Sequence, residues 1–225
     1  IFDDVRLSLD PGDEDPRKVK VLVNIDEGNT GSVGAAVGFN LTGDIFGSIS
    51  YQQDNFGGNN QKFRTEVQLS ERDLLFDVSF TDPWIAGDPY RTSYSVNGGD
   101  TDVDLPNGDT PRVNRVGGGV SFARPLDNGW SGSVGLEYQR VSIRDSDSDL
   151  SPQDQFVNDL SFSGDGRDDL LSIPIGFVWD QRNDPLGPTS GSLLRLGTEQ
   201  TIPVGKGTIF FNRVRASYSR YLPVN

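Results

Sequence analysis

Leu170-Leu171-Ser172-Ile173-Pro174-Ile175-Gly176-Phe177-Val178-Trp179-Asp180 decides the reading of this chain. Leu171, Ile173, Ile175, Phe177 and Trp179 fall on alternate positions, with Ser172, Pro174 and Gly176 between them. A period of two marks an extended strand whose two faces meet different surroundings. This is also the longest nearly unbroken apolar run, well short of the roughly 20 apolar residues that a spanning helix requires. Membrane helices are excluded, and strands with one apolar face are predicted.

The same alternation recurs on both sides. Val33, Ala35, Val37 and Phe39 oppose Gly34, Ala36 and Gly38; Phe76, Val78 and Phe80 oppose Asp77, Ser79 and Thr81; Val134, Leu136 and Tyr138 oppose Ser133, Gly135 and Glu137. Ten segments follow the pattern: Thr30–Asn40, Ile45–Asn55, Gln61–Glu71, Leu74–Asp82, Thr92–Asn97, Arg112–Pro125, Gly129–Ile143, Leu170–Asp180, Ser192–Ile202 and Thr208–Pro223. Most match the length of a tilted strand crossing an apolar band. Thr92–Asn97 is the exception, too short to span, and predicts an interrupted hairpin. Ahead of them, Phe2–Asp10 and Val19–Asp26 read as two short strands of a soluble α+β edge separated from its helices. A lone hairpin is marginal in water, so they are not a complete domain.

The 225 residues include 27 Gly and 13 Pro, and only 34% are hydrophobic, with a mean hydropathy of -0.46. A soluble core of this size wants more apolar residues, whereas a barrel wetted inside and bathed in lipid outside needs them only at alternate positions. With no Cys and no His, thiolate chemistry, Ser–His–Asp triads and zinc sites are excluded, and no enzyme is predicted. A net charge of -13 argues against nucleic acid as a partner. Ile1–Asp10 has neither a basic start nor an apolar h-region, which predicts a chain beginning inside a longer precursor, or a cytosolic one.

The polar faces carry Arg64, Glu66, Asp77, Glu137, Arg195, Arg213 and Arg215. A dry core could hold these only as pairs; a sandwich would turn them outward, and periodicity alone leaves sandwich and barrel open. The connections favour a barrel. Leu41–Asp44, Glu71–Asp73 and Leu126–Asn128 are short, while Gly98–Pro111 and Arg144–Asp169 are long and acidic. Short turns on one rim and long loops on the other are the asymmetry of outer-membrane barrels, and strand parity puts both long loops on the external side.

Asp145, Asp147 and Asp149 begin like a calcium loop, but Leu150 stands where Gly is needed and Phe156 where a bidentate Glu belongs, so a solvated loop is the preferred reading and no metal is expected. No helix follows Gly117-Gly118-Gly119, so these glycines relieve crowding in a curved strand. Asp168 and Asp169 are adjacent, pointing to opposite faces of a strand or into solvent, unlike a glycosidase pair. Phe80–Ile85 and Trp179–Gly191 each end an apolar strand with aromatics and then turn on proline, as at a membrane interface or in any tight turn.

Glu27–Ser32, Tyr51–Gly58 with Gln53, Asp54 and Asn55, Phe80–Trp84 with Asp82 and Pro83, Trp179–Gly191 with Asp180, Arg182, Pro185 and Pro188, and Ser219–Val224 resemble, in order, the BamA-type outer-membrane assembly superfamily. The wording around Leu74–Tyr90 looks closest to cyanobacterial members, cousins of the import channel of the chloroplast outer envelope. The resemblance implies an all-β fold: the first ten of sixteen strands of an antiparallel transmembrane barrel (29–225) after the C-terminal strands of the last POTRA domain (1–28). The remaining strands and the family's inward-folded loop would lie beyond Asn225.

It further implies protein insertion through a lateral gate, with Thr30, Gly31, Gly34, Gly38 and Asn40 in the gate strand, where the glycines either weaken a seam that must open or only permit barrel curvature. Arg64, Glu66, Arg195, Arg213 and Arg215 would face the lumen, where mutual pairing is the preferred reading. The implied partners are unfolded outer-membrane clients, outer-membrane lipid or lipopolysaccharide, and accessory assembly proteins. No cofactor is implied, and the location is a bacterial outer membrane or a plastid outer envelope. A translocation channel like those of two-partner secretion or plastid import, a passive pore, and a soluble acidic β-sandwich stay open beside it.

Overall fold

The computed structural model of the chain describes residues 2–11, 19–39, 45–70, 73–103, 112–144, 160–205 and 207–223. β1 (Phe2–Pro11) and β2 (Val19–Glu27) form a hairpin of their own. β3 (Gly31–Phe39), β4 (Ile45–Phe56), β5 (Gln61–Ser70), β6 (Leu74–Asp82), β7 (Ser93–Val103), β8 (Arg112–Pro125), β9 (Trp130–Arg144), β10 (Arg167–Asp180), β11 (Gly191–Ile202) and β12 (Asn212–Tyr221) form one ten-stranded antiparallel sheet. Each strand bonds to the next in the chain, so spatial order and sequence order coincide.

The register joins the sequence stripes into one continuous apolar face. Ile49 faces Ala35 on one side and Val67 on the other, and Val67 in turn faces Phe76. Farther along, Val134 lies between Phe122 and Ile175. Because side chains alternate with period two, a one-residue slip anywhere would turn a whole strand inside out. Among the described residues only Leu193 and Ile209 are buried apolar side chains, while Val33 is 74% exposed, Val37 83% and Ile49 64%. A sandwich hides such a stripe under a second sheet; a membrane barrel presents it to lipid.

Rings mark one border of the stripe. Tyr51, Phe63, Phe56, Phe80, Tyr94 and Phe122 follow one another at centroid separations of 5.8 to 6.4 Å, and Trp130 stacks on Trp179 at 6.1 Å. The path drifts along the strands as it crosses them: Phe63 faces Phe80, but Tyr94 faces Asp82, two residues farther along β6. Strands tilted against a flat interface produce such a diagonal. At the opposite border β7 to β10 turn polar. There Asp169 accepts hydrogen bonds from Tyr138 Oη (2.7 Å) and Arg140 Nε (2.8 Å), and Asn114 donates to Asp100 at 2.7 Å.

Two expectations are corrected. The fifth barrel strand is not short: β7 runs eleven residues to Val103, absorbing Gly98, Gly99 and Asp100 from the expected loop. Gly and Asp look like loop residues, but here Gly98 faces Gly118 and Gly99 faces Gly117. A Cβ on Gly117 would stand 2.5 Å from the Tyr138 carbonyl oxygen, and one on Gly118 2.6 Å from that of Asn97. The strands crowd together there, and only glycine admits the approach.

The connections are also not sorted by length between the rims. By parity, the segments at 40–44 and 71–73, short as they are, share a rim with 104–111 and 145–166, while the ten-residue segments 83–92 and 181–190 lie on the other.

Candidate functional site: a free sheet edge, a charged face and a stitched rim

β3 is one edge of the ten-stranded sheet and β12 the other. β3 pairs with β4 from Gly31↔Gln53 to Phe39↔Ile45, and among the described residues no strand occupies its other side. A row of backbone N–H and C=O groups is thus left unpaired. Thr30 anchors the base of the strand: its carbonyl accepts Asp54 N–H at 2.9 Å and its hydroxyl accepts the Gln53 amide at 2.6 Å. Gly31 N–H is capped by Asn29 Oδ1 at 3.0 Å.

The β3 glycines have a cause beyond chain entropy. On the polar face, the space over Gly34 is taken by Ser50 Oγ, 2.7 Å from where a Cβ would sit, and that over Gly38 by the Phe46 ring at 2.9 Å. Side chains of β4 lean across the edge strand, and the strand carries no groups to resist them. Asn40, expected in the gate strand, lies outside the described residues, as do the Asp145–Asp149 motif and Leu41–Asp44.

Arg64, Glu66, Arg195, Arg213 and Arg215 share the face opposite the apolar stripe. Arg64 Nη2 meets Glu66 Oε2 at 3.2 Å, while Arg213 and Arg215 converge on Glu199 at 3.6 and 3.8 Å. Of the mutual pairing expected among these five, only Arg64–Glu66 is found; Arg213 and Arg215 turn to Glu199, which faces them only through the β11–β12 register, and among the described residues no ion pair joins Arg195 to the others. Asp77, Glu137 and Glu199 border a hollow of about 380 Å³ on this face, floored by Gly99, Gly117 and Gly118.

The motif residues gather on one rim, where they build turns and tie neighbouring turns together. Asp82 accepts Gln61 Nε2 from the adjacent turn (2.8 Å) and Trp84 N–H from its own (2.9 Å). Asn55 Oδ1 accepts Asn60 N–H at 2.6 Å across the β4–β5 turn. Trp179 Nε1 and Gln181 Nε2 both donate to the Asn128 carbonyl at 3.2 Å, linking the β10–β11 and β8–β9 turns.

Asp180 grips Arg182 through Nε at 2.9 Å and Nη2 at 2.6 Å, and Arg182 reaches the Pro185 carbonyl at 3.2 Å. Gly191 closes the turn with φ 105, and a Cβ there would collide with the Gln181 carbonyl oxygen, so no side chain could enter. Missed in the sequence were Asn183 and Asp88, which organise the two longer turns. Asn183 Oδ1 accepts Thr189 and Ser190 N–H at 3.0 Å each, and Asp88 accepts Tyr90 and Thr92 N–H at 3.1 and 2.6 Å. An Asx-turn signal was available at Asp88, which accepts the N–H two residues on, but not at Asn183, whose bonds reach six and seven residues along the chain.

Sheet, outward stripe, aromatic border and charged inner face define a membrane β-barrel protein. Residues 55–225 match the model of the Omp85 superfamily domain, and the chain belongs to that superfamily. It is 29% identical to outer envelope protein 80, chloroplastic, of Oryza sativa, over 96% of this chain and 34% of that one, and 29% identical to the Arabidopsis thaliana protein of that name, over 95% and 30%.

Outer membrane protein assembly factor BamA of Neisseria meningitidis is 23% identical over 91% of this chain and 26% of its own. The fold is that of BamA from Haemophilus ducreyi lacking POTRA domains 1–3: TM-score 0.67 at 20% identity, covering all of this chain and 43% of that one. The chain spans between about a quarter and a third of the length of these curated relatives.

Proposed function

We propose that this chain supplies a wall and one edge of an outer-membrane or outer-envelope barrel that inserts or translocates other proteins, and that β3 is one lip of a lateral gate. The observation that carries the reading is that β3, unlike the other edge strand β12, is an edge built on glycine, at 31, 34 and 38. In hydrocarbon, unpaired backbone groups cost several kcal/mol each, so an edge there either pairs with a closing strand or templates an incoming one. Glycines at 34 and 38 suit a seam that opens, because they contribute little packing to a closing strand. No bond-making chemistry is involved.

The assembly factor named among the relatives supports unfolded outer-membrane proteins as clients; lipid and accessory proteins are further partners in this reading. β1 and β2 are the C-terminal strands of the periplasmic domain that precedes the barrel, and Arg64, Glu66, Arg195, Arg213 and Arg215 line its lumen.

The test is a pair of cysteines locking β3 to the last strand of the full-length barrel. Client insertion should stop on oxidation and return on reduction. Undiminished insertion by the locked form overturns the gate, and loss of passage across the membrane with insertion intact assigns translocation instead.

A further inference from the structure

A hollow of about 290 Å³ opens on the bilayer-facing side of the sheet where β8, β9 and β10 approach the motif rim. It exists because Gly132 brings no side chain to a position facing Arg124 on β8 and Phe177 on β10. A Cβ at Gly132 would meet only Leu126 Cδ1 at 3.4 Å and the Phe177 ring at 3.6 Å. Phe122 and Val134 continue the wall toward the membrane centre, and the lining is almost wholly apolar. Trp130 stacked on Trp179 lies two residues nearer the rim, so the hollow sits at the interfacial level of the bilayer, where acyl chains end and headgroups begin.

Arg124 stands at the rim-side mouth. Its guanidinium lies 4.7 Å from the centre of the Tyr90 ring, which fixes it over the opening. Among the described residues no ion pair holds it. Asp88, in the same turn, is close enough to act on it electrostatically, but both its oxygens already accept N–H groups from Tyr90 and Thr92. The cation is therefore positioned by an aromatic face and has N–H groups to offer.

We propose that this is a binding site for an anionic phospholipid of the leaflet on the motif-rim side: one acyl chain lies in the Gly132 hollow and the phosphate meets Arg124. Charge complementarity and position select the occupant. An apolar slot facing hydrocarbon is filled by an acyl chain, and a fixed guanidinium at its headgroup end favours a negative charge there.

Full-length protein equilibrated with vesicles of equal phosphatidylglycerol and phosphatidylcholine, then extracted and examined by native mass spectrometry, tests this. Wild type should retain phosphatidylglycerol over phosphatidylcholine by about fivefold, the worth of one interfacial cation. Arg124→Gln should erase the preference. Gly132→Val, whose methyl groups occupy the slot, should lower retention of both lipids.

Arg91→Asn, a change of another exposed arginine in that turn to a residue that tolerates its φ of 56, should leave the preference intact. Equal retention of the two lipids by wild type, a surviving preference in Arg124→Gln, or undiminished retention in Gly132→Val overturns the proposal. So does an equal loss in Arg91→Asn, which would mean diffuse attraction to the rim. Arg124→Gln is a surface change and decides the matter even if Gly132→Val does not fold.

Discussion

Gln61 and Asp82 meet at 2.8 Å, the side-chain amide of one turn donating to the carboxylate of the next, while the second carboxylate oxygen takes the N–H of Trp84 at 2.9 Å. One carboxylate thus serves two consecutive turns of the rim. Asp82→Ala should lower the urea stability of the full-length barrel in vesicles by about 1–3 kcal/mol, because it orphans two donors together. Asp82→Asn should cost less, since one acceptor remains.

Asp180 and Arg182 form a bidentate pair, with the arginine side chain 14% exposed and the aspartate 32%. A planar fork is what this geometry uses. Arg182→Lys should therefore behave like Arg182→Gln, each costing roughly 1.5–3 kcal/mol by urea unfolding. The double change Asp180→Asn with Arg182→Gln should cost less than the sum of the two singles. Additive losses would mean that the pair is incidental.

The glycines divide into those that admit a side chain and those that do not. Gly117→Val should cost roughly 1–3 kcal/mol or block folding, because its Cβ would press on the Tyr138 carbonyl. Gly47→Val should be tolerated, since a Cβ there meets nothing within 4 Å. Heat-modifiable migration on gels, which reports a closed barrel, separates the two.

Asp88 is held below its ordinary value of 3.8, first by the hydrogen bond from the Thr92 side chain and then by the N–H groups of Thr92 and Tyr90. A carboxylate whose folded value is lower than its unfolded value stabilises fully above the unfolded value, and that contribution is lost as pH falls through the folded one. Trp84, whose Nε1 donates to the Asp88 carbonyl at 2.7 Å, reports on the turn. Its fluorescence should stay constant from neutral pH to about pH 5 and change only below about pH 4. Asp88→Asn should remove that acid transition. A transition of the same size in the variant would assign it to other carboxylates.

The alternation at Leu171–Trp179 or Val33–Phe39 was legible because one face of each strand meets lipid and composition must follow the period. β7 was not, because Gly98, Gly99 and Asp100 are chosen for their neighbours' backbones and not for β propensity. The rims were misjudged for a related reason. Connection length is local, whereas what holds the motif rim together includes bonds such as Gln61–Asp82 and Trp179–Asn128, which join residues about 20 and 50 positions apart. Polar-face pairing could be expected in kind, but its partners depend on register.

Pairing from β6 to β12 runs without a single register shift, and the one irregularity in the sheet, between Gln53 and Phe56, lies outside the β3–β4 ladder. β3 therefore holds a fixed phase: Val33, Ala35 and Val37 point one way, Gly34, Ala36 and Gly38 the other. Any strand laid along it inherits that phase as a reading frame. In one frame the newcomer's apolar residues extend the outward stripe; displaced by one residue, every one of them faces water. Under the gate proposed above, such an edge would accept a chain on the periodicity of its side chains without recognising any particular sequence.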